Sequence, residues 1–393
     1  MIEWLIYIGL SLSPFVLMAG YDTRYPKEYF CLGVSCAIAF LAIYNGLLKP
    51  FKNRFAFIFI LGVILSTAFV PPSGMGVGMA RDGAIAMLNR TDVDNLWNFK
   101  PIVHMLIYLM LIVSIASTQI KDIKPYLKII AWTATITAAM IILQSLGFNE
   151  LMTKRSPTII GLTRSPDLTA FLGQYTLASS FMALCFLSTI YLRKYWMSAL
   201  IMLATFLTTS RLSMFAIIAG VMFIPFIQTG KKHLFYLILS FIVIATVGMF
   251  FTGFQDNGRF DIWKTIIQDL RSPLDASGLK YSFTGFGAGS FRFAYPIIHG
   301  GLAYEAHNEY LELLFNNGFM GLFLFLGAIG SFFSSCFKVS VDRDVRFLIC
   351  MAAVSCTLAF GTFFWQLSVG GFYTAVIVGL AYNAIRRHDE RLA

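Results

Sequence analysis

The feature that most constrains this chain is the length of its unbroken apolar runs. Stretches such as 55–70 and 234–251 carry no charged residue and show no alternation of apolar and polar side chains. A transmembrane β-barrel would alternate, so the runs read as helices, each crossing of a hydrocarbon layer taking about 20 residues. Of the 393 residues 58% are hydrophobic and 13% charged, against roughly 25% charged in soluble domains. A soluble globular enzyme is excluded, and the apolar total leaves room for about eleven or twelve spans. Read in order, the runs place spans near 2–19, 28–48, 54–70, 101–118, 126–147, 168–190, 196–210, 212–227, 233–251, 309–335, 345–364 and 367–385. The expectation is an all-α, polytopic chain of about twelve transmembrane helices, forming one integral membrane domain over 1–393.

The formal net charge is +10, but the cations sit in short loops between apolar runs. No basic stripe on a soluble face is available for nucleic acid, so the charge reads as a topology signal. Lys and Arg accumulate in cytoplasmic loops. With the N-terminus inside, the short inside loops hold Lys49, Lys52, Arg54, Lys121, Lys124, Lys128, Arg193, Lys194, Lys231, Lys232, Lys338, Arg343, Arg346, Arg386, Arg387 and Arg391. The other cations are spread more thinly over longer outside segments, which puts both termini in the cytoplasm. The cysteines, at 31, 36, 185, 336, 350 and 356, fall in proposed spans or in a cytoplasmic loop, and no disulfide framework is expected. The run 2–19 lacks a basic leader and a small-residue cleavage site, and reads as a retained first span.

The outside segments near 71–100, 148–167 and 252–308 are long, and long connections are usually functional or disordered. The 252–308 loop is too apolar and aromatic for disorder. Within it Ile262, Ile266, Ile267 and Leu270 share one helical face, the pattern of a short helix lying on the membrane surface. Chemistry is therefore expected on the external face.

Three external features carry candidate residues. Arg211 lies in Thr208-Thr209-Ser210-Arg211-Leu212-Ser213 between two apolar runs, at a depth where an unpaired guanidinium is costly; a snorkelling anchor is the plain alternative. Arg259 opens the surface helix in Gly258-Arg259-Phe260-Asp261-Ile262-Trp263, where pairing with Asp256 or Asp261 is the plain alternative. His307 lies in Ala306-His307-Asn308-Glu309-Tyr310-Leu311-Glu312, at the head of the tenth span. The positive end of that helix disfavours imidazolium, leaving His307 neutral and able to accept a proton. Arginines are permanently charged and fork-shaped, which suits a diphosphate.

The order of these features resembles the O-antigen ligase and polymerase superfamily. It comprises the Ser-Arg step, a Gly-Arg-x-x-x-Trp segment, the turn Gly287-Ala288-Gly289-Ser290-Phe291, and a block from His307 to Gly321 reading His-Asn-x-Tyr-Leu-x-x-Leu-x-x-x-Gly-x-x-Gly. The resemblance covers about 155–330 and extends elsewhere only to the twelve-span layout. It implies a C-type glycosyltransferase fold in the bacterial inner membrane, with a large periplasmic loop over 252–308. It further implies en bloc transfer of a glycan from undecaprenyl diphosphate to the lipid A core oligosaccharide, with inversion, no cofactor and no metal. By position, His307 matches the essential histidine, and Arg211 and Arg259 match arginines implicated in holding the diphosphate. Arg164, Arg292 and Asn308 are further candidates for substrate binding. Where relatives often read Asn-Pro-Asn before a span, this chain reads Arg164-Ser165-Pro166-Asp167. The expected partners are the lipid-linked donor, the lipid A core acceptor and membrane lipids, with no nucleic acid. Topology supports the donor class on its own terms, because nucleotide sugars are cytoplasmic and an outward-facing transferase needs a donor already carried across on a lipid.

Other signals are weaker. Asp92-Val93-Asp94 matches a metal-holding Asp-x-Asp pattern but is too short to stand alone. The run Gly285-Phe286-Gly287-Ala288-Gly289 does not sit in a βαβ unit, as a nucleotide loop would, and reads as a flexible turn re-entering the membrane surface. His299 is a second-choice base, His104 reads as a hydrogen-bonded interior residue, and Lys154 and Arg155 read as lipid-facing cations. An O-antigen or exopolysaccharide polymerase, or a protein O-oligosaccharyltransferase, would use the same donor chemistry. A twelve-span secondary transporter fits the layout too, but would place polar residues near the midplane of related halves, which this chain does not do.

Overall fold

The structure is a computed structural model. It describes residues 1–16, 24–49, 54–69, 100–148, 175–251, 259–271, 306–339, 342–362 and 368–392, with residues 170, 172, 282, 283, 285, 291, 295 and 365. The described elements are helical: α1 Ile2–Leu12, α2 Arg24–Tyr44, α3 Arg54–Phe69, α4 Lys100–Ser117, α5 Lys124–Ser145, α6 Tyr175–Tyr191, α7 Tyr195–Leu207, α8 Arg211–Met222, α9 Ile224–Thr229, α10 Lys232–Phe251, α11 Arg259–Arg271, α12 Glu309–Lys338, α13 Arg343–Ala359 and α14 Ser368–Leu392. A helix lies on every apolar run read from the sequence. The run 212–227 is divided: α8 ends at a turn on Phe223, and α9 restarts with Pro225 in its first turn, where a missing N–H costs no helical bond. Among the described residues, five helical segments are long and apolar enough to cross a membrane: Pro26–Tyr44, Lys124–Ser145, Arg211–Thr229, Glu309–Lys338 and Ser368–Glu390.

The interior is built around the last two helices. The α14 helix packs on α2, α4 and α13, while α13 also meets α6 and α8; α5 lies against α1, α6 and α7. Close approach of α14 to α4 relies on glycine, since a Cβ at Gly379 would come within 2.8 Å of Ile115. Small residues permit such contact where lipid tails give no hydrophobic drive between helices. Polar groups in this apolar setting are satisfied locally: Thr133, Thr135 and Thr137 each donate a hydroxyl hydrogen bond to the carbonyl four residues earlier. A helix whose backbone and hydroxyls are paired internally can be buried without desolvation loss.

The two ends of the bundle differ in chemistry. At one, cations counted above in the inside loops cover helix termini: Arg386 donates to the carbonyls of Ser117 at 2.8 Å and Ala116 at 3.3 Å, where α4 ends, and Arg387 donates to Lys121. Lys49 and Arg386 both pair with Glu390, at 3.1 and 2.9 Å. Cations at a helix C-terminus complement its exposed carbonyls. Lys338 ends α12, and His307 stands two residues before its start.

Candidate functional site

The candidate residues are positioned by the starts of three helices. Asn308 caps α12, its side-chain oxygen accepting from the N–H groups of Tyr310 at 3.0 Å and Leu311 at 3.1 Å. Two otherwise orphaned helix donors are thereby satisfied, and the side chain of Asn308, a candidate for substrate binding, serves as the helix cap. One residue earlier, His307 adopts a left-handed conformation with φ +51°. Such a backbone costs a non-glycine residue about 1–3 kcal/mol and persists where its surroundings impose it. Here Ala306 is tied on both sides, its N–H donating to Glu312 Oε2 at 3.1 Å and its carbonyl accepting from Trp263 Nε1 at 2.7 Å.

Arg259 begins α11 and donates from Nη1 to the carbonyl of Gly361 at 2.9 Å, in the turn after α13. On another side of that turn lies α8: a Cβ at Gly361 would come within 2.9 Å of Leu212, the neighbour of Arg211. Arg211 is exposed at the first turn of α8, behind Thr209 with φ +54°. Below it Ser213 donates to Ser179 at 2.9 Å and lies 2.9 Å from Ser210. The structure thus brings the starts of α8 and α11 to one turn, with His307 near enough to Arg259 to feel its charge.

Burial, reinforced by that proximity, sets the state of the imidazole. Burial, followed by the Arg259 guanidinium, pushes the pKa of His307 down from 6.5 to about 4. Both effects disfavour the charged form, so at neutral pH His307 is a neutral imidazole. The sequence argument relied on the helix dipole; the causes found are desolvation and a neighbouring cation.

The described residues before α12 take part in a second, small core. Ile266 of α11, Phe291, Tyr295, Ala306, Leu314 and Phe315 form a buried cluster, with Ile262 against it. The apolar face of α11, expected to lie on the membrane, therefore covers protein at these positions. Gly285, at the head of the glycine run, serves the same packing. Within α12, Gly318 leaves helical geometry (φ +64°, ψ −171°), and a Cβ there would lie 2.3 Å from the carbonyl oxygen of Phe283. A Cβ at Gly285 would in turn lie 2.4 Å from the backbone of Asn316. Backbone thus meets backbone at the break, and Asn316 Oδ1 accepts from the Phe291 N–H at 2.9 Å.

Several residues not singled out from the sequence complete the site. Glu309 is buried and its Oε1 accepts from the backbone N–H of Trp365 at 2.8 Å. Trp365 Nε1 donates to Ser355 at 2.7 Å, and its ring lies edge-on to Tyr310. Tyr310 donates its hydroxyl hydrogen to the Cys356 carbonyl at 3.1 Å. His104 is an interior residue paired with Glu28, Nε2 to Oε1, at 3.0 Å. Arg164, Arg292, His299, Asp92, Asp94, Lys154 and Arg155 lie outside the described residues.

Residues 176–326 match the family model described as O-Antigen ligase. The match covers less than half of the chain and marks a similarity to that family. No curated protein matches the chain. The matched segment contains Arg211, Arg259 and His307, and ends within α12. The turn after α13 that holds Arg259 and Glu309 lies beyond it. Similarity to this family points to ligase- or polymerase-type glycosyl transfer with lipid-linked glycan substrates in a membrane setting, consistent with the long apolar helices of the fold.

Proposed function

We propose that the protein is a C-type glycosyltransferase of the bacterial inner membrane that moves a glycan en bloc from undecaprenyl diphosphate to the lipid A core oligosaccharide. In this reading about twelve spans cross the membrane, both termini are cytoplasmic, and the site faces the periplasm. The observation that carries the proposal is a neutral, partly buried imidazole beside a permanently charged guanidinium. A base must be unprotonated to act, and a leaving diphosphate needs fixed positive charge where its own charge develops.

The step is an in-line displacement. An acceptor hydroxyl oxygen bonds to the anomeric carbon as the bond from that carbon to the diphosphate oxygen breaks, inverting the centre. His307 takes the hydroxyl proton. Arg211 and Arg259 hold the diphosphate, which leaves on undecaprenol with the bonding electron pair. Arg164 and Arg292 are assigned to substrate binding. The reaction needs no metal, and chelator is expected to leave it unchanged.

The test is transfer in proteoliposomes with lipid-linked donor and lipid A core. His307→Ala is expected to lower the rate by about 10²–10⁴, the usual contribution of a positioned base; undiminished transfer would remove His307 from the chemistry. Arg259→Lys keeps charge but loses the guanidinium fork, so donor affinity is expected to fall. In cells, deletion should strip all long glycan from an intact core. A core still bearing a single repeat unit would instead assign a polymerase.

A further inference from the structure

We propose that Trp263 and Glu309 are positioning residues that hold His307 in its left-handed turn through a closed circuit of hydrogen bonds. The assignment rests on the reading of His307 as the base.

The circuit can be followed atom by atom. On one side of His307, Trp263 Nε1 donates to the Ala306 carbonyl at 2.7 Å. On the other side Glu309 Oε1 accepts from the Trp365 N–H at 2.8 Å. Four residues before Trp365, the Gly361 carbonyl accepts from Arg259 Nη1 at 2.9 Å. Arg259 is four residues before Trp263 on α11, one turn away on the same helical face, and the circuit closes there. Its links come from α11, the residues flanking His307 and the turn after α13. No single element therefore sets the geometry, and the packing of Ile266 on Ala306, Leu314 and Phe315 holds two of the parts together as well.

Each link is itself restrained. Trp365 is pinned by Ser355, whose hydroxyl lies 2.8 Å from Thr374 of α14. Ile266, one turn beyond Ile262 on α11, is fully buried against Phe315 and its neighbours. A left-handed histidine persists only where neighbours impose it, and the circuit supplies that imposition from both sides. It also ties Arg259 to the same frame, so the base and one diphosphate cation move together or not at all.

Trp263→Phe and Glu309→Leu each delete one link, whereas Glu309→Gln keeps an acceptor oxygen. Two readouts are taken on the full-length protein. The first is the rate at which diethyl pyrocarbonate modifies His307 in detergent at pH 7, with His104 as the control for intact folding. The second is steady-state transfer in proteoliposomes. Trp263→Phe and Glu309→Leu are expected to raise the His307 modification rate at least about fivefold with His104 unchanged. They should also lower kcat about 10–100-fold, the range expected for a slightly misplaced catalytic group, while the donor KM stays within about twofold. Glu309→Gln should stay near wild type in both. Unchanged modification and unchanged kcat in Trp263→Phe and Glu309→Leu, with His307→Ala inactive, would overturn the circuit while leaving the base in place. Full transfer by His307→Ala would overturn the base instead, and the modification rates would still judge the circuit. Equal loss in Glu309→Gln and Glu309→Leu would overturn the role of the acceptor oxygen.

Discussion

The two halves of α12 follow opposite rules. From Glu309 to Asn317 the helix carries Glu309, Glu312, Asn316 and Asn317, and all four are buried. Beyond Gly318 it is almost wholly apolar, and Phe319, Met320, Phe323 and Leu326 are exposed. A helix in water would bury the second set and expose the first. Against lipid the apolar half needs no cover, whereas polar side chains must find partners inside protein. The first half finds them: Glu309 with Trp365, Glu312 with Ala306, and Asn316 with Phe291. The comparison teaches that polarity along this helix marks where protein surrounds it, and the break at Gly318 is the border.

The border itself gives the largest effect. Gly318→Val places a Cβ against the Phe283 carbonyl in a left-handed backbone, and should destabilise the protein by about 3 kcal/mol or more. Thermal unfolding in detergent measures it, and a wild-type Tm would erase the border. Next comes the polar half: Asn316→Leu orphans the buried Phe291 N–H, a loss of about 1–3 kcal/mol, whereas Asn316→Asp keeps the acceptor and should lose less. A pH series sharpens the same contrast. With the pKa of His307 at about 4, transfer should change little on its account from pH 7 to pH 5.5, and fall as pH drops towards 4. Stability follows the same sign: between pH 6.5 and 4 the unfolded chain binds a proton that the folded site refuses, so acidification through this window is destabilising. A half-maximal rate near pH 6.5 would show an imidazole in ordinary solvent. The smallest effect belongs to the lipid-facing half, where Phe323→Leu should shift stability by no more than about 0.5 kcal/mol and leave transfer unaltered.

The helices were legible because length and apolarity alone specify them, and the described helices follow the runs closely. His307 and Arg259 were legible because a histidine at a helix head and an arginine in an aromatic loop are unusual residue types in their places. Gly361 and the N–H of Trp365 were not, because they act through backbone atoms that every residue carries and no residue type advertises. Glu309 left a faint signal, an acid at the mouth of a long apolar helix, but its partner lies 56 positions away. The face of α11 reads as apolar in the sequence, and at Ile262 and Ile266 it covers protein; periodicity says that a face is buried and not by what. The glycine run suggested a turn free to move; at Gly285 it meets α12 so closely that a Cβ would not fit.

That contact between Gly285 and the break at Gly318 has a consequence for how such a site can diversify. Its spacing is set by peptide groups, so it acts as a gauge block that does not depend on which side chains surround it. In the proposed transfer, residues elsewhere before α12 could be exchanged to suit a different sugar without moving Gly285 away from the helix. On the proposed function, variation in glycan preference would accumulate around two fixed glycines.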